Sequence, residues 1–170
     1  MQPLQDPIEE EEEMKVSQIM TQPVITITED TPLHEVAQIM LEHRIGGLPV
    51  INQCGELIGI VTESDFTARE KCVPFSLFRA PQLFGTWLGN DAEELYLQAR
   101  NIPAREIMSR NVISVAENDS IAEVLDVILK YDINRIPVVR NHKPVGIVAR
   151  RDLLRIMNSQ QVSANSAYIL

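Results

Sequence analysis

The chain of 170 residues contains one pattern twice, and this internal repeat constrains its fold more than any other feature. With a shift of 88 positions, residues 19–50 match residues 107–138 at several places in register. After one deletion, residues 59–61 fall on residues 146–148 as the same Gly-Ile-Val. Two copies are too few for a solenoid, in which each repeat contacts only its neighbours in an array. The repeat therefore predicts two half-domains that pack as a pseudo-symmetric pair.

Each copy opens with a predicted strand that leads into a predicted helix. Residues 24–28 and 112–115 are rich in β-branched and apolar side chains, which is typical of a short strand. Asp30-Thr31-Pro32 and Asn118-Asp119-Ser120 follow, and residues of these types favour the first positions of a helix. Apolar residues then recur at helical spacing in both copies, which predicts an amphipathic helix in each.

The second part of each copy predicts a hairpin and another helix. Gly46-Gly47 is expected to end the first helix of copy one, and Asn134 that of copy two. Residues 48–62 predict a hairpin with a turn at residues 52–55. Asp65 and Asp152 are expected to cap the last helices. The predicted order is strand, helix, strand, strand, helix, which is an α+β unit.

The motifs of both copies resemble the cystathionine-β-synthase (CBS) domain. In copy one these are Gly-Leu-Pro49-Val and Gly55-Glu-Leu-Ile-Gly-Ile-Val-Thr-Glu-Ser-Asp65, and in copy two Arg-Ile-Pro137-Val and Gly146-Ile-Val-Ala-Arg-Arg-Asp152. The resemblance implies a tandem CBS pair, or Bateman module, similar to the stand-alone CBS-pair proteins of plants and bacteria. Two packed β-α-β-β-α repeats are expected, with an aromatic-rich, largely helical insert between them. The expected divisions are an acidic tail (1–14), repeat one (15–66), the insert (67–103), repeat two (104–157) and a C-terminal tail (158–170).

In the family, such a pair has two clefts that hold adenosine nucleotides, and each cleft draws on both repeats. The resemblance predicts that cleft one is formed by Ile60, Thr62, Asp65, Ser109, Val112, Ile113, Ile133 and Asn134. It predicts that cleft two is formed by Thr21, Val24, Ile25, Ile45, Gly46, Arg135, Ile147 and Asp152.

The chemistry of adenosine explains why such residues suit a cleft. A carboxylate can accept charge-assisted hydrogen bonds from both ribose hydroxyls, apolar strand ends can hold adenine, and phosphates need positive charge. The two copies differ, because Gly47 stands where copy two has Arg135, and Ala149 stands where copy one has Thr62. We therefore expect unequal sites, with better adenosine contacts in cleft one and better phosphate contacts in cleft two. The alternative is that Asp65 and Asp152 only cap helices, and that Thr62 is an ordinary strand residue.

Charge and composition narrow the classes of partner. The net charge is −9, of which residues 1–14 contribute −6, while residues 101–170 carry +2. An acidic chain gains nothing from counterion release, so nucleic acid is not expected as a partner. No apolar run is long enough to span a membrane, no secretion signal is seen, and Cys54 and Cys72 form no disulfide framework. We expect a cytoplasmic protein that does not bind membranes.

The predicted function is regulatory and not enzymatic, because no nucleophile motif, phosphate loop or metal-ligand spacing is present. The ligand is expected to be AMP, ADP or ATP, with no further cofactor and no metal. The protein would sense cellular energy state and modulate an unidentified partner, as a homodimer or higher homo-oligomer. The alternative is a ligand-independent or redox-linked interaction module. It would act through the insert, which holds five of the eight aromatic residues and Cys72.

Overall fold

A computed structural model describes residues 14–66 and 100–154, and these form two similar units. Unit one consists of a 3₁₀ turn (Val16–Gln18), β1 (Ile27–Thr28), α1 (Leu33–His43), β2 (Gly47–Ile51), β3 (Leu57–Thr62) and a 3₁₀ turn (Glu63–Phe66). Unit two consists of a 3₁₀ turn (Ala104–Glu106), β4 (Val115–Ala116), α2 (Ile121–Tyr131), β5 (Arg135–Arg140) and β6 (Lys143–Ala149), and residues 150–154 are helical. The predicted α+β class with two repeats is confirmed. The predicted helical insert lies outside the described residues, apart from its last four.

The two sheets have the same topology. In each, the first strand runs parallel to the second, and the second runs antiparallel to the third. Both hairpins carry an irregularity at the equivalent place, between Val50 and Ile51 and between Val138 and Val139. The opening strands are two residues long, shorter than the predicted five and four.

Helix α2 begins as predicted, α1 begins after Pro32 without a side-chain cap, and both helices end earlier than predicted. Ser120 caps α2 in a capping box with Glu123, whose side chain accepts a hydrogen bond of 2.8 Å from the Ser120 backbone N–H. The predicted stops at Gly46-Gly47 and Asn134 are wrong. Arg44 and Asp132 end the helices in the left-handed conformation, with φ of 54° and 48°. Glycine is the commonest residue at the left-handed end of a helix, but any residue that tolerates positive φ can take this position.

The hydrophobic core of each unit is completed by the segment at the start of the other unit. The core of unit two contains Val16, which is fully buried, and Ile19 and Met20 pack against it. The core of unit one contains Ala104, Ile107 and Met108, all at most 6% exposed. We call residues 15–21 and 102–109 the exchanged segments. Neither unit has a complete core without the segment that belongs to its partner.

Backbone hydrogen bonds hold each exchanged segment against the last strand of the other unit. Thr21 and Ile147 exchange N–H···O bonds of 2.9 and 3.2 Å, and Ser109 and Ile60 exchange bonds of 2.9 and 3.0 Å. One side chain of each segment then lies on a glycine of that strand. A Cβ at Gly146 would lie 2.4 Å from the sulfur of Met20. The equivalent contact in the other unit has the same geometry, so both strands need glycine here for close approach.

A surface ion pair connects the turn between β4 and α2 with the end of β5. The Arg140 guanidinium donates to the Glu117 carboxylate through two nitrogens. This hydrogen bond, together with the positive charge of Arg140, holds the pKa of Glu117 below its ordinary value of 4.5. The same pair raises the pKa of Arg140. A bidentate geometry of this kind is the arrangement in which a surface pair contributes to stability.

We predict that Ile107→Ala destabilises the protein by about 3 kcal/mol, because it leaves a cavity in the core of the other unit. The variant Glu106→Ala, at an exposed neighbour in the same segment, should change stability by less than about 0.5 kcal/mol. Urea denaturation at neutral pH measures both values. Equal effects of the two variants would contradict the packing of Ile107 in that core.

We also predict that Arg140→Gln lowers stability at pH 7 and that its deficit shrinks in acid. A carboxyl whose pKa is depressed by folding stabilises the folded state above its unfolded pKa. That contribution is lost as the pH falls through the folded pKa, below 4.5. Thermal unfolding of both proteins from pH 7 to pH 3 measures the difference. The variant Lys143→Gln removes the same charge from a neighbouring exposed residue, and its profile should run parallel to that of the wild type. A deficit for Arg140→Gln that is constant across this range would contradict the role of Glu117.

Candidate functional site

Two clefts lie between the units, at the ends of β3 and β6. Cleft two has a volume of about 650 Å³, and all eight residues predicted for it line its walls: Thr21, Val24, Ile25, Ile45, Gly46, Arg135, Ile147 and Asp152. Cleft one has a volume of about 390 Å³, and all eight of its predicted residues line it: Ile60, Thr62, Asp65, Ser109, Val112, Ile113, Ile133 and Asn134. The structure thus brings each predicted set together, while the binding role of these residues stays a prediction.

The exchanged segments create both clefts. Thr21 is paired with Ile147 on β6, so the chain that continues to Val24 and Ile25 forms a wall opposite Asp152. Ser109 is paired with Ile60 on β3, and the residues after it form the equivalent wall in cleft one. Each cleft therefore combines an apolar wall from one repeat with a carboxylate from the other.

The two aspartates are buried at the start of a helical turn. Asp65 is 6% exposed and Asp152 is 7% exposed. In each, Oδ2 accepts a hydrogen bond from the backbone N–H three residues earlier, at 2.7 Å from Thr62 and 2.8 Å from Ala149. The prediction that these residues are N-caps is therefore wrong, because the capping position is three residues before each aspartate. The backbone bond fixes the orientation of each carboxylate.

The hydroxyl of Thr62 distinguishes cleft one from cleft two. Its Oγ1 donates to Oδ2 of Asp65 at 3.0 Å and lies 2.7 Å from Oγ of Ser64. Ala149 occupies the equivalent position in repeat two and has no hydroxyl. The carboxylate of cleft one is thus held by two hydrogen bonds from one residue, and Thr62 is more than an ordinary strand residue.

Arg135 reaches from repeat two into repeat one and lines both clefts. Its side chain crosses Gly46 and Gly47, and its Nη2 lies 3.6 Å from Oε2 of Glu63. A Cβ at Gly46 would lie 1.9 Å from that Nη2, and one at Gly47 would lie 2.7 Å from Cδ of Arg135. Gly47 and Arg135 are equivalent residues of the two repeats, so their contact places both at the centre of the pair. Gly47 makes room for the arginine.

Charged residues line both clefts, and several of them were not among the predicted site residues. Cleft two carries four arginines against two carboxylates: Arg44, Arg135, Arg150 and Arg151, with Glu63 and Asp152. Cleft one carries one arginine against three carboxylates: Arg135, with Glu63, Asp65 and Asp132. Arg150 and Arg151 lie within the motif Gly146-Ile-Val-Ala-Arg-Arg-Asp152, but neither was among the predicted site residues. No sequence signal pointed to Arg44, because it belongs to neither motif.

Neither a metal site nor a membrane-spanning helix is present within residues 14–66 and 100–154. No group of three or more histidine, cysteine or acidic residues there could hold a metal ion. No helix in those ranges is long and apolar enough to cross a membrane. Cys54 is exposed in the turn between β2 and β3, and Cys72 lies outside the described residues.

Comparison with known proteins gives a consistent family. The family model described as CBS domain matches twice, at residues 16–70 and 104–159. CBS domain-containing protein YhcV of Bacillus subtilis is 30% identical over 152 residues, which are 89% of this chain and 91% of that protein. L-aspartate semialdehyde sulfurtransferase of Methanocaldococcus jannaschii is 29% identical over 147 residues, or 86% of this chain. This chain spans only 24% of that enzyme's length.

Solved structures agree with this result. The CBS domain of a CBS domain containing membrane protein from Sphaerobacter thermophilus superposes with a TM-score of 0.68 and 40% identity, covering 84% of this chain and 87% of that one. The CBS domain pair of protein MJ0100, solved with 5′-methylthioadenosine and S-adenosyl-L-methionine, gives a TM-score of 0.65 and 28% identity, covering 87% and 98%. Two matched domains, two equivalent sheets and these neighbours lead to one conclusion: the chain belongs to the CBS domain family and contains a tandem pair of CBS domains.

Proposed function

We propose that this CBS pair is a regulatory module that binds adenosine-type ligands in its two clefts. The observation that carries the proposal is the pairing, in each cleft, of a buried carboxylate with an apolar wall from the other repeat. A carboxylate fixed by a backbone N–H can accept from ribose hydroxyls, and a wall of valine and isoleucine can hold the flat base. The MJ0100 pair, which was solved with two adenosyl compounds, supports this ligand class.

The charges assign different ligands to the two clefts. Four arginines make cleft two the site for AMP, ADP or ATP, since phosphate groups need positive charge. Cleft one has three carboxylates and a smaller volume, which favour the adenosine part of a ligand over its phosphates. The expectation of unequal sites is retained in this form.

Regulation would follow from ligand contacts with both repeats. A ligand in either cleft touches a motif of one repeat and the exchanged segment of the other, so its affinity depends on how the repeats pack. It therefore shifts the population toward the packing that it binds best. The module would report adenylate level, and so energy state, to a regulated partner in the cytoplasm through this change, and it would bind its ligand without turnover. The alternative function, carried by the insert, concerns residues outside the described ranges.

We also propose that the module is a homodimer. Leu41 of α1 and Leu129 of α2 are equivalent residues, and they are 78% and 73% exposed. Large exposed apolar side chains of this kind are ones that a second copy can cover.

The ligand proposal predicts that Asp152→Asn weakens AMP binding by about 10- to 100-fold, as expected for the loss of hydrogen bonds to a charged group. The amide oxygen can still accept from Ala149, so the fold should be kept, and thermal unfolding without ligand checks this. Asp126→Asn, on the exposed face of α2, removes the same charge outside the clefts and should bind AMP like the wild type. Isothermal titration calorimetry measures all three. Failure of the wild type to bind AMP, ADP, ATP, 5′-methylthioadenosine and S-adenosylmethionine would contradict the proposal.

The dimer proposal predicts that the double variant Leu41→Lys and Leu129→Lys sediments as a monomer, because it places charges in the contact. The variant Gln53→Lys adds a charge at an exposed turn residue and should sediment like the wild type. Sedimentation velocity over a range of protein concentrations measures the state of each. A wild type that stays monomeric at all concentrations would show the proposal to be wrong.

A further inference from the structure

Arg135 and Glu63 are shared by the two clefts. Both residues line cleft one and cleft two, and their side chains lie 3.6 Å apart as an ion pair. Arg135 is 26% exposed, whereas Glu63 is 71% exposed. The pair therefore stands on the boundary between two ligand sites, and either site can draw on the same guanidinium.

The packing at the centre leaves space for one such arginine. Its side chain lies directly on Gly46 and Gly47, and a Cβ at either glycine would overlap it. The equivalent of Arg135 in repeat one is Gly47, so repeat one cannot supply a second guanidinium from that position. A phosphate in cleft one and a phosphate in cleft two would thus use one and the same side chain.

The other charged residues that line the clefts make cleft two the better site for a phosphate. Cleft two keeps Arg44, Arg150 and Arg151 when Arg135 is engaged elsewhere. The other charged residues that line cleft one are Glu63, Asp65 and Asp132, all acidic. Within the described residues, Arg135 is the one basic residue that lines cleft one.

We infer that a phosphate-bearing ligand binds first in cleft two and weakens the binding of a second one in cleft one, and that Glu63 contributes to this coupling. The inference rests on the proposed function and adds a coupling between its two sites. A phosphate in cleft two pulls the Arg135 guanidinium away from Glu63. Cleft one then presents the carboxylates of Glu63 and Asp65 to a second phosphate without the Arg135 guanidinium, while Asp132 is paired with Arg150 at 3.2 Å. By thermodynamic reciprocity, a phosphate in cleft one weakens binding in cleft two by the same factor.

A ligand without phosphate escapes this competition. An adenosyl compound with no anionic group does not require Arg135, so it can occupy cleft one whether cleft two is filled or not. The inferred ligand class of cleft one is therefore a neutral or cationic adenosyl compound. That of cleft two is an adenosine nucleotide.

The test compares the two successive dissociation constants of AMP with those of 5′-methylthioadenosine, by isothermal titration calorimetry on the full chain. For AMP, we expect the second site to be weaker than the first by about tenfold or more, within the usual range of coupling between sites. For 5′-methylthioadenosine, which has no phosphate, we expect the ratio of the second dissociation constant to the first to be clearly smaller than for AMP. The first AMP site should be lost in Asp152→Asn and kept in Asp65→Asn.

Glu63→Gln is the decisive variant. It removes one carboxylate from both clefts and releases Arg135 from its ion pair, so the ratio for AMP should fall by about tenfold while that for 5′-methylthioadenosine stays unchanged. The exposed position of Glu63 makes misfolding of the variant a minor concern, and thermal unfolding without ligand checks it. Glu42→Gln, an exposed residue of α1, is the matched control and should reproduce the wild type.

The outcomes separate the two proposals. Two AMP sites with the same ratio as 5′-methylthioadenosine would overturn the inference alone and leave the proposed function standing. An AMP ratio that Glu63→Gln leaves unchanged would do the same. No binding of either compound would overturn the proposed function, and this inference with it.

Discussion

The exchange of residues 15–21 and 102–109 between the two units is the interaction on which the rest of the structure depends. It completes both cores, with Val16 buried in one and Ile107 in the other. It also pairs one residue with the last strand of each sheet, through the antiparallel bridges Thr21–Ile147 and Ser109–Ile60. The same pairing positions the apolar wall that faces the aspartate in each cleft. The two cores and the two clefts therefore form together. A single repeat would have neither a closed core nor a complete cleft.

Much of the fold followed from local pattern. The alternating residues and turn of the hairpins and the N-cap at Ser120 depend on a few neighbouring residues, and the structure has them where the sequence indicates. The exchange could not be predicted from the residues in this way. Val16 and Ile107 lie near the start of repeats one and two, and they show no pattern that assigns them to the core of the other repeat. The helix ends at Arg44 and Asp132 were not predicted, because the prediction looked for glycine or asparagine at the left-handed position. Other residues also adopt positive φ there.

The cleft residues could be predicted because the repeat and the family resemblance place them by sequence position. The lining of cleft two by Arg44 and the reach of Arg135 into both clefts could not be predicted. Arg44 is the left-handed residue that ends α1, and the Arg135 side chain lies on Gly46 and Gly47. The direction of a long side chain depends on what stands opposite it in the other repeat. A sequence compared only with itself shows that two residues are equivalent, but it does not show that they touch.

The contact between Arg135 and Gly47 has a consequence for how such a chain can change by mutation. At most positions the two copies can carry the same residue, because each copy has its own surroundings. At the centre, the two equivalent residues share one space, and a second large side chain there would meet the first. An arginine at position 47 would overlap the Arg135 side chain where it now lies, so one of the two would have to move. The glycine at this position lets the single arginine lie across the centre, and it distinguishes the two halves before any ligand is bound.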